Sequence, residues 1–500
     1  MSKLQQAQKY VEENRNKVNP EFRLKYHMMP EIGWMNDPNG FIYYKGEYHL
    51  FYQYYPYDSK WGTPYWGHAK SKDLIIWEHM PIALAPDMYY DVDGCFSGSA
   101  IEVDGKLYLM YTGHTNPDPD NPKNIRQVQN MAVSKDGVNF EKIKQNPVIS
   151  ERDLPYIALP QDFRDPMIFK HNDSYYAVIA SRNIDGSGQL LLYKSNNLLN
   201  WNYVGVIIRS DNKLGKMWEC PSLFKLNDMD VLILSVQHLD KNGDKYHNLF
   251  SSIYMLGKMD YESWKFICEV VDEIDYGFDF YAPQTLVDDR GRRIMIAWMQ
   301  VWGRTIPTDC HGHNWAGAMT LPRELRVIDG KLYQIPVDEI TKYRKNKISY
   351  KDIIVNDKIQ LDGIEGQNVE LEVEIDAQNA NNFGIKVLKG EKEETVMHYD
   401  RREGKFIFDR SKSGEQIKNT EGKEDNEQIR KTTVSLKNNI LSLRIFIDRC
   451  SVEVFIQNGE RVMTSTVYPK STSKSIEFFT DNKIIIKNLN KWDIELGGIK

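Results

Sequence analysis

Hydrophobic runs of five or six residues recur along the first two thirds of the chain, each after a short polar turn. The runs cover residues 48–52, 107–111, 175–180, 231–236 and 294–298. The turns are Lys45-Gly46, Asp104-Gly105, Asn172-Asp173, Asn227-Asp228 and Arg290-Gly291. A polar turn between two hydrophobic runs is typical of a β-hairpin. The runs begin 59, 68, 56 and 63 residues apart, which indicates five repeats of similar length.

A second motif has the same period. It begins at Ser71, Ser134 and Ser195, has Asp or Asn two residues later, and is followed by Trp77, Phe140 or Trp201. Ser and Asp side chains suit a turn, and the aromatic ring can pack beneath a strand. Five strand-rich repeats predict an all-β fold that begins with a five-bladed β-propeller. A β-sandwich with accidental periodicity is the alternative.

The pattern changes after residue 333. Residues 336–344 resemble a short helical linker, and residues 369–375, 443–447 and 452–456 then alternate strictly between polar and apolar side chains. Alternation with period two is typical of half-buried antiparallel strands and predicts a β-sandwich. Residues 411–431 are charged and almost free of apolar side chains, so we expect a mobile hairpin loop there.

These patterns predict four segments. We expect an N-terminal helical extension over residues 1–30, a catalytic β-propeller over 31–336, a linker over 337–347 and a C-terminal β-sandwich over 348–500.

Composition narrows the classes of function. The 70 acidic residues outnumber the 64 basic ones and no basic run dominates, which argues against nucleic-acid binding. We find neither a membrane-spanning apolar stretch nor the apolar run of a signal peptide. Five widely spaced cysteines without a CxxC motif make a disulfide framework or a zinc site improbable and favour a reducing compartment. We therefore expect a cytoplasmic protein without a membrane partner, and a homodimer stays open.

Polar residues, four of them acidic, recur in step with the repeats. Asp37, Ser97, Asp165, Glu219 and Asp279 are separated by 60, 68, 54 and 60 residues. The first strand of each propeller blade lines the central axis, so equivalent positions converge at one end of the channel. A cluster of four acids is costly unless a reaction or a metal uses it. The aromatic neighbours Trp34, Trp218, Phe280 and Tyr281 favour a sugar pocket over a metal site.

Five motifs together carry a family resemblance. They are Trp34-Met35-Asn36-Asp37-Pro38-Asn39-Gly40, Phe51-Tyr52-Gln53-Tyr54, Phe96-Ser97-Gly98-Ser99, Arg164-Asp165-Pro166 and Trp218-Glu219-Cys220-Pro221. In order and spacing this series resembles glycoside hydrolase family 32, the invertase family. The resemblance implies a five-bladed propeller followed by a β-sandwich, which agrees with the periodicity.

The resemblance also implies catalytic roles. Asp37 would be the nucleophile that attacks the anomeric C2 of a β-fructofuranosyl unit, Glu219 the acid and base, and Asp165 the stabiliser of the transition state. A retaining pair of carboxyls lies about 5–5.5 Å apart. Because Asp37 has to be ionised, we expect hydrogen-bond donors to keep its pKa low. The chemistry needs no cofactor and no metal.

The family pattern further implies a set of substrate-binding residues. They are Asn36, Gln53, Trp61, Phe96, Ser97, Arg164 and Asp279. Many relatives have Trp at the position of Phe96. Phenylalanine keeps the apolar wall but lacks the indole N–H donor. Asp279 resembles a position that contacts the leaving glucosyl group.

The absence of a signal peptide and the local sequences around Phe96 and Asp279 favour the branch of the family that hydrolyses sucrose 6-phosphate. A phosphate on the leaving sugar needs a cation nearby, and Arg126, Arg304, His311 and His313 are candidates. The alternatives are a cytoplasmic β-fructosidase acting on sucrose or short fructo-oligosaccharides, a fructosyl transferase, and a sugar-binding propeller without hydrolysis.

Overall fold

The structure is a computed structural model that describes residues 1–420 and 427–497. Helices are few: α1 (Lys3–Asn14), α2 (Pro307–Cys310) and short 3-10 helices at Arg15–Lys17, Pro122–Asn124, Glu151–Asp153 and Asp338–Tyr343. Helix α1 buries Ala7 and Val11 against the first blade. Among the described residues, no helix is long and apolar enough to cross a membrane.

Five small sheets follow one another along the chain. The first contains β1 (Gly33–Tyr44), β2 (Glu47–Tyr55), β3 (Tyr65–Ser71) and β4 (Trp77–Leu84). The second contains β5 (Gly94–Val103), β6 (Lys106–Thr115), β7 (Arg126–Ser134) and β8 (Glu141–Lys142). The third contains β9 (Ala158–His171), β10 (Ser174–Asn183), β11 (Gly188–Ser195) and β12 (Asn202–Arg209). The fourth contains β13 (Met217–Leu226), β14 (Met229–Gln237), β15 (Phe250–Asp260) and β16 (Lys265–Glu273). The fifth contains β17 (Tyr281–Val287) and β18 (Arg293–Trp298), and after β19 (Trp315–Ala316) it continues with β20 (Arg323–Ile328) and β21 (Lys331–Pro336).

The five sheets are the blades of a β-propeller. Their first strands β1, β5, β9, β13 and β17 contact one another in a closed ring. Strand β19 leaves the fifth blade and pairs in parallel with β1, where Trp34 lies opposite Ala316. This pairing fastens the last blade to the first. The propeller predicted from the repeats is confirmed, and the alternative of accidental periodicity is wrong.

The predicted turns join the first two strands of each blade. At Lys45-Gly46 and Asp104-Gly105 both residues have positive φ, which matches the right-handed twist of the flanking strands. The Ser-x-Asp motif closes the third strand of the first two blades. In the first blade Asp73 Oδ1 accepts the N–H groups of Ile75 and Ile76, and Trp77 donates its indole N–H to Leu74 O.

Residues 344–494 form two six-stranded sheets. One has the order β22-β33-β24-β29-β30-β31 and the other β23-β32-β25-β26-β27-β28. The strands are β22 (Arg344–Val355), β23 (Lys358–Ile359), β24 (Asn368–Asp376), β25 (Asn382–Lys389), β26 (Glu394–Asp400), β27 (Lys405–Lys412), β28 (Ile429–Thr433), β29 (Ile440–Asp448), β30 (Ser451–Ile456), β31 (Arg461–Thr466), β32 (Ser475–Thr480) and β33 (Ile484–Ile494). A shared apolar core lies between the sheets, which is the predicted β-sandwich.

Strand β22 begins at Arg344, inside the segment predicted as a linker. Arg344 pairs with Ile494 of β33 and donates two hydrogen bonds to the buried Glu370 carboxylate. These contacts draw the basic end of the linker into the sheet, a long-range effect that composition does not show.

The segment predicted as a mobile loop, residues 411–431, is anchored where it is described. Ile417 is buried, Thr420 donates its N–H to Gly303 O, and Thr305 donates its N–H to Lys418 O. The sandwich therefore holds a loop of the fifth blade. Residues 421–426 of the predicted loop lie outside the described residues.

Buried charges join the two domains. Arg323 contacts the carboxylates of Asp275 and Glu453, and His27 lies between Glu453 and Asp448, with ring nitrogens 2.9 and 2.7 Å from their oxygens. Burial lowers the pKa of His27, but hydrogen bonds and charges of Asp448 and Glu453 outweigh burial and raise that pKa to about 9. The two carboxylates thus favour the protonated, cationic form of His27 within the interface.

Candidate active site

Each inner strand of the propeller has a β-bulge at an equivalent position. The irregularities lie between Met35 and Pro38, Phe96 and Gly98, Arg164 and Met167, Glu219 and Ser222, and Tyr281 and Gln284. A bulge breaks the alternation of a strand and re-aims a side chain. Asp37, Ser97 and Asp165 lie within these bulges and Glu219 borders one. The bulges therefore turn polar side chains of several blades toward one end of the channel.

These side chains line a cavity of about 610 Å³. Of the predicted site residues it contains Asn36, Asp37, Gln53, Trp61, Phe96, Ser97, Arg164, Asp165 and Glu219. The structure thus brings together nine residues that span the sequence from 36 to 219.

Asp37 is held by donors from three strands. Its Oδ1 accepts a hydrogen bond from Asn36 Nδ2 at 3.0 Å, and its Oδ2 accepts one from Ser97 Oγ at 2.9 Å. The Cys220 thiol lies 3.6 Å from the same Oδ2. These contacts fix the carboxylate at the cavity surface.

The low pKa expected for Asp37 is wrong. Burial raises its pKa, the hydrogen bonds from Asn36 and Ser97 lower it, and the charge of Glu219 raises it, so that it lies at about 6. The donors are present as expected, but they do not offset the loss of hydration because the described part of the site places no cation directly on Asp37.

Glu219 accepts hydrogen bonds on both oxygens. Arg164 donates to Oε1 from Nη2 at 2.8 Å and from Nε at 3.0 Å, and the Tyr281 hydroxyl donates to Oε2 at 2.5 Å. The guanidinium and the phenol therefore fix the plane of this carboxyl group. Tyr281 is absent from the predicted site, although the motif around Asp279 contains it.

Asp165 has a left-handed backbone, with φ of 61°. Its N–H donates to Thr112 Oγ1, and its Oδ2 accepts from the N–H of Cys220. Burial raises its pKa, Arg164 opposes the rise, and the charges of Glu219 and Asp37 add to it. The charges of the neighbouring carboxyl groups thus favour the protonated form of Asp165.

Aromatic rings form the walls. Trp302 stacks on Trp34 at 5.9 Å and meets the half-exposed Trp61 edge-on at 6.5 Å, while Phe96 stacks on His114 at 4.2 Å. Aromatic walls around a few polar groups suit the apolar faces and hydroxyls of a sugar. Sequence reasoning missed Trp302 and His114, which lie outside the periodic motifs.

The structure places Asp279 elsewhere. Its side chain is fully buried between propeller and sandwich, where Oδ2 accepts from Arg410 Nη1 at 2.7 Å and from the N–H and hydroxyl of Thr466 at 2.7 and 2.8 Å. Asp279 does not line the cavity. Its position within the sequence repeat is the same as that of the other acids. In the structure, however, it precedes the bulge of β17 and faces Arg410 and Thr466 of the sandwich.

None of the four cations suggested for phosphate lines the cavity. Arg126 pairs with Glu151, and Arg304 donates to Phe278 O and Asn248 Oδ1. His313 stacks on Phe22, and His311 lies 3.5 Å from Glu415. Within the described ranges, no group of three His, Cys, Asp or Glu is placed to hold a metal.

A buried carboxylate beside a second, hydrogen-bonded carboxyl group, within aromatic walls at the mouth of a propeller, defines a glycosidase site. Residues 27–336 match the Glycosyl hydrolases family 32 N-terminal domain, and residues 339–493 match the Glycosyl hydrolases family 32 C terminal domain. The chain belongs to glycoside hydrolase family 32.

Individual relatives agree. The chain is 38% identical to a sucrose-6-phosphate hydrolase of Zymomonas mobilis, over 94% of this chain and 92% of the relative. A structure of sucrose-6-phosphate hydrolase from Lactobacillus gasseri superimposes with a TM-score of 0.86 at 30% identity, over 99% of each chain. A Bombyx mori beta-fructofuranosidase mutant in complex with sucrose superimposes with a TM-score of 0.83 at 33% identity, over 98% of each chain.

Proposed function

We propose that the protein hydrolyses the β-fructofuranosyl bond of sucrose 6-phosphate through a covalent fructosyl-enzyme. The observation that carries the proposal is the meeting of Asp37, Asp165 and Glu219, from three blades, in one cavity with aromatic walls. Relatives named sucrose-6-phosphate hydrolases match over nearly the full length and support the choice of substrate.

In the first step an oxygen of Asp37 bonds to the anomeric C2 of the fructosyl unit while the bond from C2 to the bridging oxygen breaks. Glu219 gives its proton to that oxygen, which leaves as the hydroxyl of the glucosyl product. Water then attacks C2, gives its proton to Glu219 and releases Asp37. Glu219 thus acts as the acid in the first step and as the base in the second, while Asp37 is first the nucleophile and then the leaving group, as retention requires.

The other cavity residues orient the sugar. Asn36 and Ser97 aim Asp37, and Arg164 aims Glu219. Asp165 would accept hydrogen bonds from fructosyl hydroxyls that strengthen as positive charge develops at C2. Trp61 and Phe96 provide the walls and Gln53 a polar contact.

Two variants test the chemistry. Asp37→Asn and Glu219→Gln keep the shape of each side chain and remove its charge or its proton, so each should lower kcat by at least about 10³-fold. With Glu219→Gln, substrate should still bind in calorimetry. Turnover near the wild-type rate in either variant would refute the proposed mechanism.

The substrate is tested by kcat/KM for sucrose 6-phosphate and sucrose on the same preparation. We expect a clear preference for the phosphorylated sugar. Equal values would favour the second candidate, a β-fructosidase that acts on sucrose and short fructo-oligosaccharides. One observation favours that candidate: of the described cavity residues, Arg164 is the only one with a permanent positive charge, and it is bound to Glu219 and Asp162.

We propose that the enzyme works in a reducing compartment, the cytoplasm. All five cysteines are free. Cys95, Cys220 and Cys450 are buried, and oxidation of these thiols would disturb packing. Free thiols persist in reducing surroundings. We also propose the division into an extension (1–30), a propeller (31–336), a linker (337–347) and a sandwich (348–500), with the first sandwich strand beginning within the linker at Arg344. The two family matches, over residues 27–336 and 339–493, support the boundary near residue 336.

A further inference from the structure

Arg182 lies immediately behind the cavity wall. It is on β10, beside β9, and its Nη1 lies 3.7 Å from Oδ2 of Asp162, a residue that lines the cavity. The same Asp162 accepts a hydrogen bond from Arg164 Nη1 at 3.1 Å. A row of Arg164, Asp162 and Arg182 therefore leads from Glu219 to the third blade.

The Arg182 guanidinium is not saturated. Its contact with Asp162 is too long for a hydrogen bond, and its buried Nε has no partner among the described residues. Its side chain is 39% exposed, so the group is also open to solvent. A guanidinium has five N–H donors in a planar fork, and a buried N–H without a partner is costly. The buried Nε cannot reach a ligand, so the donors available to one are those of Nη1 and Nη2.

The space beside Arg182 is open as well. A Cβ added at Gly186, in the turn between β10 and β11, would have Arg182 Nη2 at 3.9 Å as its nearest atom. The next cation, Arg209, contacts Asp185 in this turn and is thereby neutralised. Arg182 is thus the cation beside this turn whose hydrogen-bond donors are not engaged by a described residue.

The negative charge of the cavity explains why a phosphorylated substrate needs a cation such as Arg182 nearby. Asp37, Asp162 and Asp165 line the cavity, and Arg164 is the one permanent cation among its described residues, so the excess negative charge repels a phosphorylated sugar. A cation next to the cavity lining, such as Arg182 beside Asp162, offsets this repulsion. The guanidinium fork fits two phosphoryl oxygens at once.

We propose that Arg182 binds the phosphoryl group on the leaving sugar, and that it thereby sets the preference for phosphorylated over neutral substrate. The assignment rests on the proposed function, since it presumes a phosphorylated leaving group. Asp162 is a positioning residue that holds Arg182 next to the cavity between substrates.

The test is the ratio of kcat/KM for sucrose 6-phosphate to kcat/KM for sucrose. In Arg182→Gln this ratio should fall roughly 10- to 100-fold, because hydrogen bonds to a charged group are lost for one substrate only. Arg209→Gln is the matched control, an arginine at the end of β12 whose partner is Asp185 of the same turn, and it should keep the wild-type ratio.

The outcomes separate the two claims. A wild-type ratio near one refutes the proposed substrate. A high wild-type ratio that Arg182→Gln retains overturns the assignment of Arg182, as does an equal fall in Arg209→Gln. Should Arg182→Gln not fold, Arg182→Lys keeps the charge and loses the fork: a ratio reduced severalfold supports the assignment, and an unchanged ratio overturns it.

Discussion

Arg164 donates two hydrogen bonds to one oxygen of Glu219, from Nη2 at 2.8 Å and from Nε at 3.0 Å. The guanidinium is also tied to Asp162 and to Gln127, so its own position is fixed. A carboxyl group that gives and retakes a proton must keep its direction toward the glycosidic oxygen. Arg164 provides that direction through a rigid fork rather than through charge alone.

The fork predicts that Arg164→Lys is not conservative. Lysine keeps the charge but cannot donate in the same plane, so Glu219 should be misaligned and kcat should fall roughly 100-fold with a smaller change in KM. Steady-state kinetics on sucrose measure the split. Arg126→Lys, on the neighbouring blade outside the cavity, is the control. A kcat within threefold of wild type would contradict the positioning role.

The raised pKa of Asp37 predicts the acidic limb of the pH profile. The nucleophile reacts when ionised, so kcat/KM should fall as the pH drops through about 6. The hydrogen bond from Ser97 lowers this pKa, so Ser97→Ala should move the limb to higher pH by about half a unit to one unit. A limb that stays in place or moves to lower pH would show that Ser97 does not tune Asp37.

His27 predicts a pH dependence of stability. Its folded pKa of about 9 exceeds the ordinary value of 6.5, so its stabilisation is complete below about pH 6.5 and is lost as the pH rises through about 9. The shift corresponds to up to about 3 kcal/mol. Thermal unfolding between about pH 6 and 10 should show a steeper loss for wild type than for His27→Gln. The exposed His311→Gln is the control and should follow wild type; parallel curves for wild type and His27→Gln would refute the assignment.

Asp279 predicts a loss of stability rather than of binding. Asp279→Asn removes the charge that faces Arg410 inside the interface, which should lower the free energy of unfolding by about 3 kcal/mol. Urea unfolding measures this loss, and KM for sucrose measures binding. A tenfold rise in KM at unchanged stability would instead support the substrate contact that the family pattern implies for Asp279.

The sequence by itself determined the propeller, the sandwich and most of the cavity. Turns such as Lys45-Gly46 and motifs such as Ser71-Lys72-Asp73 act through local hydrogen bonds and backbone angles, which the residues themselves specify. Their period fixed the number of blades, and the phase of Asp37, Asp165 and Glu219 indicated that these acids meet.

Tertiary structure decided what each acid faces. Asp279 has the same phase as Glu219, yet the sandwich covers it with Arg410 and Thr466, residues that come more than a hundred positions later. The pKa of Asp37 depends on how much water the folded chain removes, and Arg182 lies next to Asp162 of the cavity because β10 pairs with β9. Burial and contacts between distant segments are properties of the folded chain, and no local pattern encodes them.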